Sequence, residues 1–129
     1  MISDLLQWLN NGSGSLDTLV EPYLRDDLDL PAIVYEIQSE EFERDLTTKV
    51  STLRLSTVSI RCLSGTFSLA ESTAEDVVTR LGNYNVTNST AIRGLSIQSL
   101  DRSYSLPVES SNEILYEVDI SVVVSWSAA

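Results

Sequence analysis

The sequence predicts an α+β domain in which two helices pack on one face of an antiparallel sheet of about four strands, with a long extended arm or hairpin. Apolar residues recur at helical spacing near residues 3–9 and 72–81, and four other segments read as strands. The order is helix, strand, strand, helix, strand, strand. With 129 residues and 43% hydrophobic content, the chain suits one core, so residues 1–129 are expected to form a single domain.

The first predicted element is a short N-terminal helix. Ser3 is a suitable N-cap, Asp4 suits the positive end of the helix dipole, and Gly12 ends the pattern. Residues 12–15 read as a flexible Gly-Ser linker. Residues 16–24 are expected to add a further helical turn or two.

The first predicted strand begins at Pro31, a residue that is tolerated at the start of a strand. Ile33, Tyr35 and Ile37 share one parity, so this strand has one strongly apolar face.

Residues 38–52 are predicted to form a long arm or hairpin that extends beyond the core sheet, because a charged stretch interrupts the strand pattern. Such an arm is a natural surface for pairing with another chain. The candidate interface residues on this arm are Glu40, Glu41, Phe42, Glu43, Arg44, Asp45 and Lys49.

The second predicted strand carries a change of apolar parity. Leu53 and Leu55 fall on one parity, whereas the apolar residues within 58–62 fall on the other. Because neighbouring strand residues point to opposite faces, the change predicts a bulge or break near Ser56-Thr57.

The clearest helix is predicted over residues 72–81. Ser72, Thr73, Ala74 and Glu75 have the spacing of a capping box, with Ser72 as the N-cap and Glu75 reaching back to it.

Two strands are predicted after this helix. Residues 91–100 form the first, and residues 101–113 form a polar connection. Residues 116–126 alternate between apolar and polar positions along their whole length, which predicts a strand with one buried face.

The residue types that usually carry catalysis are scarce. The chain has no histidine, no Gly-rich phosphate loop and one cysteine, Cys62, which reads as a buried strand residue and not as a reactive thiol. We therefore predict no enzymatic activity, no metal and no cofactor. Tyr84, Tyr104 and the two tryptophans are interpreted as core residues in preference to a ligand pocket.

The charge balance restricts the class of partner. Nineteen acidic residues against eight basic ones give a formal net charge of −11, which argues against a protein that grips nucleic-acid phosphates. The sequence has no apolar run long enough to span a membrane, and its start does not have the pattern of a secretory signal. We expect a soluble, cytoplasmic protein without membrane contact.

Three segments carry a family resemblance. They are residues 30–37 (LPAIVYEI), residues 58–63 leading into the helix at 70–81, and the alternating run at 116–126. In this order they resemble the first strand, the central strand with its amphipathic helix, and the C-terminal strand of the tail-completion proteins of long-tailed bacteriophages. These proteins are also called tail terminators or head–tail joining proteins.

The resemblance covers nearly the whole chain, and it departs from the family at residues 12–29 and in the Asn/Thr-rich loop at 83–90. It implies a structural virion protein of the tail and neck, assembled in the host cytoplasm. Family members form a ring, commonly of six subunits, that ends polymerisation of the tail tube. The ring contacts the tube protein and the head–tail connector or stopper, and DNA passes through its lumen without specific binding.

Two alternatives stay open. The chain also suits another ring protein of the neck or tail, such as a head–tail stopper or the tube protein itself. From a different class, it suits a small acidic protein that binds a ligand or acts as an inhibitor. For the terminator, we expect that deleting residues 40–48 leaves a folded domain that no longer assembles.

Overall fold

The computed structural model describes residues 2–11, 20–22, 32–44, 50–84, 92–105 and 115–127. Within these ranges the chain forms two helices and five strands. No helix among them is long and apolar enough to cross a membrane. In chain order the elements are α1 (Ile2–Asn11), β1 (Val20–Pro22), β2 (Ala32–Arg44), β3 (Val50–Ser64), α2 (Phe67–Gly82), β4 (Ile92–Ser105) and β5 (Leu115–Ser127).

The strands form one sheet in the order β1-β2-β3-β5-β4. The pairs β2–β3, β3–β5 and β5–β4 are antiparallel, and only the three-residue β1 runs parallel to its neighbour β2. The prediction of an α+β fold with a four-stranded antiparallel sheet and two helices is confirmed.

The core lies between one face of the sheet and both helices. From β3 and β5, alternate residues point to this face, which is why their sequences alternate. The buried core residues include Val58, Ile60 and Cys62 of β3, Val118, Ile120, Val122 and Val124 of β5, Ala70, Ala74, Val77 and Leu81 of α2, and Leu5 and Leu9 of α1.

The predicted break in β3 is wrong. The β3–β5 ladder runs without a register shift from Leu53–Ser127 to Ser64–Tyr116. The parity change has another cause, because a buried serine, Ser56, continues the core-facing row of Val58, Ile60 and Cys62. The extra residue belongs to β2 instead, where Ile37 pairs with Val58 but Ser39 pairs with Thr57, so that Gln38 is the bulge.

Strand β4 is longer than predicted and carries two bulges. It continues to Ser105, because residues 101–105 pair with β5, which corrects the predicted polar connection from residue 101. Its register shifts leave Arg93 and Gln98 as extra residues. Because of these bulges, the apolar residues of the core-facing row do not alternate regularly along the sequence. They are Ile92, Leu95, Ile97 and Leu100.

The start of α2 also differs from the prediction. The helix begins at Phe67 after the extended Thr66, whose carbonyl accepts the first helical bond from the Ala70 amide at 3.1 Å. Ser72 lies inside the helix and donates its hydroxyl to the Leu69 carbonyl at 3.2 Å, so it is not the N-cap. The buried Ala70 explains the earlier start, because it adds one turn to the core-facing stripe.

The expected helical turns within residues 16–24 are contradicted at Val20–Pro22, which form β1. The Val20 side chain is buried, and its amide donates to the Asn10 side-chain oxygen at 3.0 Å. Val20 and Pro22 are poor helix formers, and Val20 is buried beside Ile33 as part of a strand. The predicted linker at 12–15 lies outside the described residues.

Candidate functional site

Residues 38–52, predicted to form an arm beyond the sheet, are described only at 38–44 in β2 and 50–52 in β3, and the rest of the predicted arm lies outside the described residues. The strands remain paired from Ser39–Thr57 to Arg44–Val50, beyond a second irregularity between Phe42 and Arg44. Glu40 and Glu41 are exposed. For Phe42, Glu43 and Arg44 the structure describes only the backbone in β2, while Asp45 and Lys49 lie outside the described residues.

Glu40 is tied to the body of the domain. Its carboxylate accepts a hydrogen bond from the Ser56 hydroxyl at 3.3 Å, and the same hydroxyl accepts the indole N–H of Trp126 at 2.8 Å. The Arg54 guanidinium lies 5.5 Å from the centre of the Trp126 ring. Ser56 therefore joins Glu40 of β2 to Trp126 near the end of β5.

The sheet face opposite the helices carries a charged cluster around Arg61. Its guanidinium lies 3.7 Å from Glu36, 3.5 Å from Glu117 and 3.7 Å from Asp119. Asp119 also accepts a hydrogen bond from the Ser59 hydroxyl at 2.6 Å. Three carboxylates surround one cation, so the cluster keeps a negative balance.

Hydroxyl groups extend this polar face toward β4. Ser103 donates to the second carboxylate oxygen of Glu117 at 3.1 Å. The face therefore presents carboxylates and hydroxyls from four neighbouring strands. Within the part of the chain that the structure describes, no three His, Cys, Asp or Glu side chains form a group that could hold a metal ion.

A cavity of about 280 Å³ opens on the helix side, where the start of α2 meets the ends of β4 and β5. Phe67 and Tyr116 meet there edge to face, with ring centres 5.9 Å apart. Arg102 forms a two-point ion pair with Glu71 at the cavity wall, and this pair raises the pKa of the Arg102 guanidinium. The lining is mainly apolar, so the cavity suits an apolar side chain better than a charged ligand.

The aromatic residues divide into two groups. Trp126 and Tyr84 pack against the core, as predicted. Tyr104 is 67% exposed and lies at the cavity, which contradicts its interpretation as a core residue. This cavity could not be predicted from the sequence, because residues 101–105 are predicted to lie in a connection and residue 67 before the helix.

Cys62 is buried in the core, in agreement with the prediction. Burial, with a smaller contribution from the nearby Asp119 carboxylate, raises the pKa of the Cys62 thiol to about 12. A thiol held in its protonated form is a poor nucleophile, so its position argues for packing and against reactivity.

No protein-family model matches the chain, and no curated protein matches it either.

Proposed function

We propose that the protein is a structural subunit of a homo-oligomeric ring that closes the head-proximal end of a bacteriophage tail tube. In this role it ends tube polymerisation and joins the tail to the neck, and it carries out no chemical step. The candidate arm residues then contact the neighbouring subunit or the tube, or they face the lumen. The order of segments that resembles tail-completion proteins is the starting point of the proposal.

The observation that carries the proposal is the polar face of the sheet. Glu36, Glu117 and Asp119 crowd around Arg61, and no described helix packs on this side. A surface of negative balance repels phosphate groups, because like charges disfavour contact. Such a surface suits the wall of a channel through which DNA must pass without adhering.

A second feature suits a subunit of an assembly. Glu40 is anchored through its contact with Ser56, so the outer edge of β2 has a fixed position in the sheet at this point. A fixed edge can present the same contact to each neighbour in a ring. The alternative of an acidic inhibitor gains no comparable support, since the carboxylates gather around one arginine and are not spread along a face.

The mass of the purified protein in solution tests this function. Light scattering after size exclusion, near physiological salt and over a range of protein concentrations, should give a discrete closed oligomer of about six chains. Filaments that grow without a fixed mass would favour the tube protein in place of the terminator. A monomer at every concentration would contradict self-assembly into a ring.

A further inference from the structure

The sheet has two open edges among the described residues. β1 covers β2 only from Ile33 to Tyr35, so no described strand pairs with the outer side of β2 from Glu36 to Arg44. On the other side of the sheet, no described strand pairs with the outer side of β4. An open edge offers main-chain N–H and C=O groups to a further strand.

Both edges are accessible on both faces of the sheet. Every described side chain in 36–41 is exposed, and so are those in 96–99 and 101–104. Ile37, Ile97 and Tyr104, three of the exposed large hydrophobic residues, lie on these two strands. Apolar residues on an open strand edge are available to pack against a further strand.

The directions of the strands allow the two edges to join. Since β2–β3, β3–β5 and β5–β4 are all antiparallel, β2 and β4 run in opposite directions. When β4 of one copy lies beside β2 of the next copy with the same faces aligned, the new pair is antiparallel like the rest of the sheet. A contact between two different edges is heterologous, which is the kind that repeats around a ring.

The charges of the two edges are complementary. Residues 36–41 carry three glutamates and no basic residue. β4 carries Arg93 and Arg102, both exposed, against the single acidic residue Asp101. Opposite charges on two edges favour their association over contact between two copies of the same edge.

One register brings together an apolar pair and an oppositely charged pair. The bulge at Gln38 keeps Ile37 and Glu40 in the same row, while Tyr104 and Arg102 share the corresponding row of β4. Placing Ile37 opposite Tyr104 therefore also places Glu40 opposite Arg102, beside its ion pair with Glu71. Ile37 of the next copy would then lie at the mouth of the apolar cavity that Tyr104 lines.

We propose that β4 of one copy pairs antiparallel with the open part of β2 of a second copy, in the register that sets Ile37 opposite Tyr104. The sheet then continues from subunit to subunit. This inference rests on the proposed ring function and names the two surfaces that form it. The register also sets Glu41 opposite Asp101, a like-charge pair that solvent and salt screen at the surface.

Cysteine cross-linking tests the pairing. In the proposed register Ser39 lies opposite Ser103, and both serines are exposed. The double variant Ser39→Cys with Ser103→Cys, oxidised under native conditions and then alkylated, should give a ladder of covalent oligomers. A disulfide forms only where the two Cα atoms lie within roughly 4.4–6.8 Å, so the ladder reports close strand pairing.

The matched control is Ser39→Cys with Ser96→Cys. Ser96 is an exposed serine on the same strand and the same face as Ser103, but it lies roughly 20 Å along the strand. This control should give no ladder, and a ladder from it in place of the Ser103 pair would overturn the register. Efficient dimers from Ser103→Cys alone would show that β4 pairs with β4, which would also overturn the proposal.

The solution mass separates the two proposals. A closed ring without a Ser39–Ser103 ladder would refute the edge pairing and leave the proposed function standing. A ladder from a protein that forms no discrete oligomer would support the edge pairing and contradict ring closure. Thermal unfolding of each variant, compared with the unmodified protein, verifies that these surface substitutions preserve the fold.

Discussion

Trp8 and Arg80 form a reciprocal pair that joins the two helices. The indole N–H of Trp8 donates to the Arg80 carbonyl at 2.8 Å, and the guanidinium of Arg80 donates to the Trp8 carbonyl at 2.9 Å. The guanidinium also lies 6.0 Å from the centre of the Trp8 ring, and the rings of Trp8 and Tyr84 meet edge to face with their centres 5.6 Å apart. Each helix therefore supplies both a donor and an acceptor to the other.

Replacing Trp8 by phenylalanine should destabilise the domain. The change removes the N–H that satisfies the Arg80 carbonyl, and a buried acceptor without its partner costs about 1–3 kcal/mol. Urea unfolding monitored by circular dichroism measures this cost. Gln7→Ala, at an exposed position of the same helix, should change the free energy of unfolding by less than about 0.5 kcal/mol. Equal effects of the two substitutions would contradict the assigned role of the pair.

Ser56→Ala should destabilise the domain although serine and alanine are close in size. Ser56 is fully buried and accepts the Trp126 indole N–H while donating to Glu40, so alanine leaves the indole without its acceptor. We expect a loss of about 1–3 kcal/mol in the free energy of unfolding. Ser96→Ala, on the exposed part of β4, is the control and should be nearly neutral. A neutral Ser56→Ala would show that the indole N–H finds another acceptor.

Ser72→Ala distinguishes the capping box from the observed start of α2. If Ser72 were the N-cap, its replacement by alanine would lower the free energy of unfolding by about 0.5–2 kcal/mol. Since Ser72 lies inside the helix, where alanine is the better residue, we expect instead a neutral change or a gain of up to about 0.5 kcal/mol. Thermal unfolding distinguishes a loss of stability from a neutral change or a gain. Ser68→Ala, at an exposed position in the first turn of α2, serves as the control variant.

Cys62 should make the stability depend on alkaline pH. The thiol of the folded protein has a pKa raised from 9.0 to about 12, so the unfolded chain loses this proton first as the pH rises. The thiol therefore stabilises the fold fully below pH 9, and this contribution falls by about 1.4 kcal/mol per pH unit between about 9 and 12. Urea unfolding of the protein and of Cys62→Ala at pH 8 to 10 measures the difference. Identical pH slopes for both proteins would rule out a shifted thiol.

Glu40→Gln and Glu41→Gln should have opposite effects on assembly. If β2 pairs with β4 in the proposed register, Glu40 faces Arg102 and its neutralisation should weaken association roughly two- to fivefold. Glutamine at this position keeps an acceptor for the Ser56 hydroxyl. Glu41 faces Asp101, so its neutralisation should strengthen association by a similar factor. Sedimentation at low salt measures both, and changes of the same sign would contradict the register.

The structure also changes how the arm should be tested. A deletion of residues 40–48 removes the strand pairs that Glu40, Glu41 and Phe42 form with Ser56, Leu55 and Arg54. It also removes the Glu40 partner of Ser56. Loss of assembly after that deletion would therefore not separate a lost interface from a damaged fold, whereas single substitutions at Glu40 and Glu41 do.

The sequence allowed the fold class to be predicted because β5 and the core stripe of α2 follow simple periods. In β5 every second residue from Val118 to Val124 is buried, which reproduces the pattern in the sequence. β4 could not be read in the same way, since its bulges at Arg93 and Gln98 place apolar residues at intervals of three and two. A bulge is set by pairing with the neighbouring strand, and a single strand's sequence does not display it.

The candidate site was predictable only in part. The charges of the arm are plain in the sequence, and the structure places Glu40 and Glu41 on an exposed strand. The cluster around Arg61 was not predicted, because Glu36 and Asp119 are distant in sequence and meet only through the strand order. The only signal in the sequence was that Glu117 and Asp119 alternate with the apolar residues of β5. This pattern predicts a polar face of the strand, but it does not show that Arg61 lies beside these carboxylates.

The distribution of the bulges bears on which changes of chain length the protein can accept during evolution. The β3–β5 ladder is free of register shifts, whereas β2 and β4 hold extra residues at Gln38, Arg93 and Gln98. Inserting or deleting one residue in the central pair would turn every following side chain to the wrong face. The outer strands already absorb single extra residues. Relatives of this protein should therefore differ in length along the outer strands and keep the central pair constant.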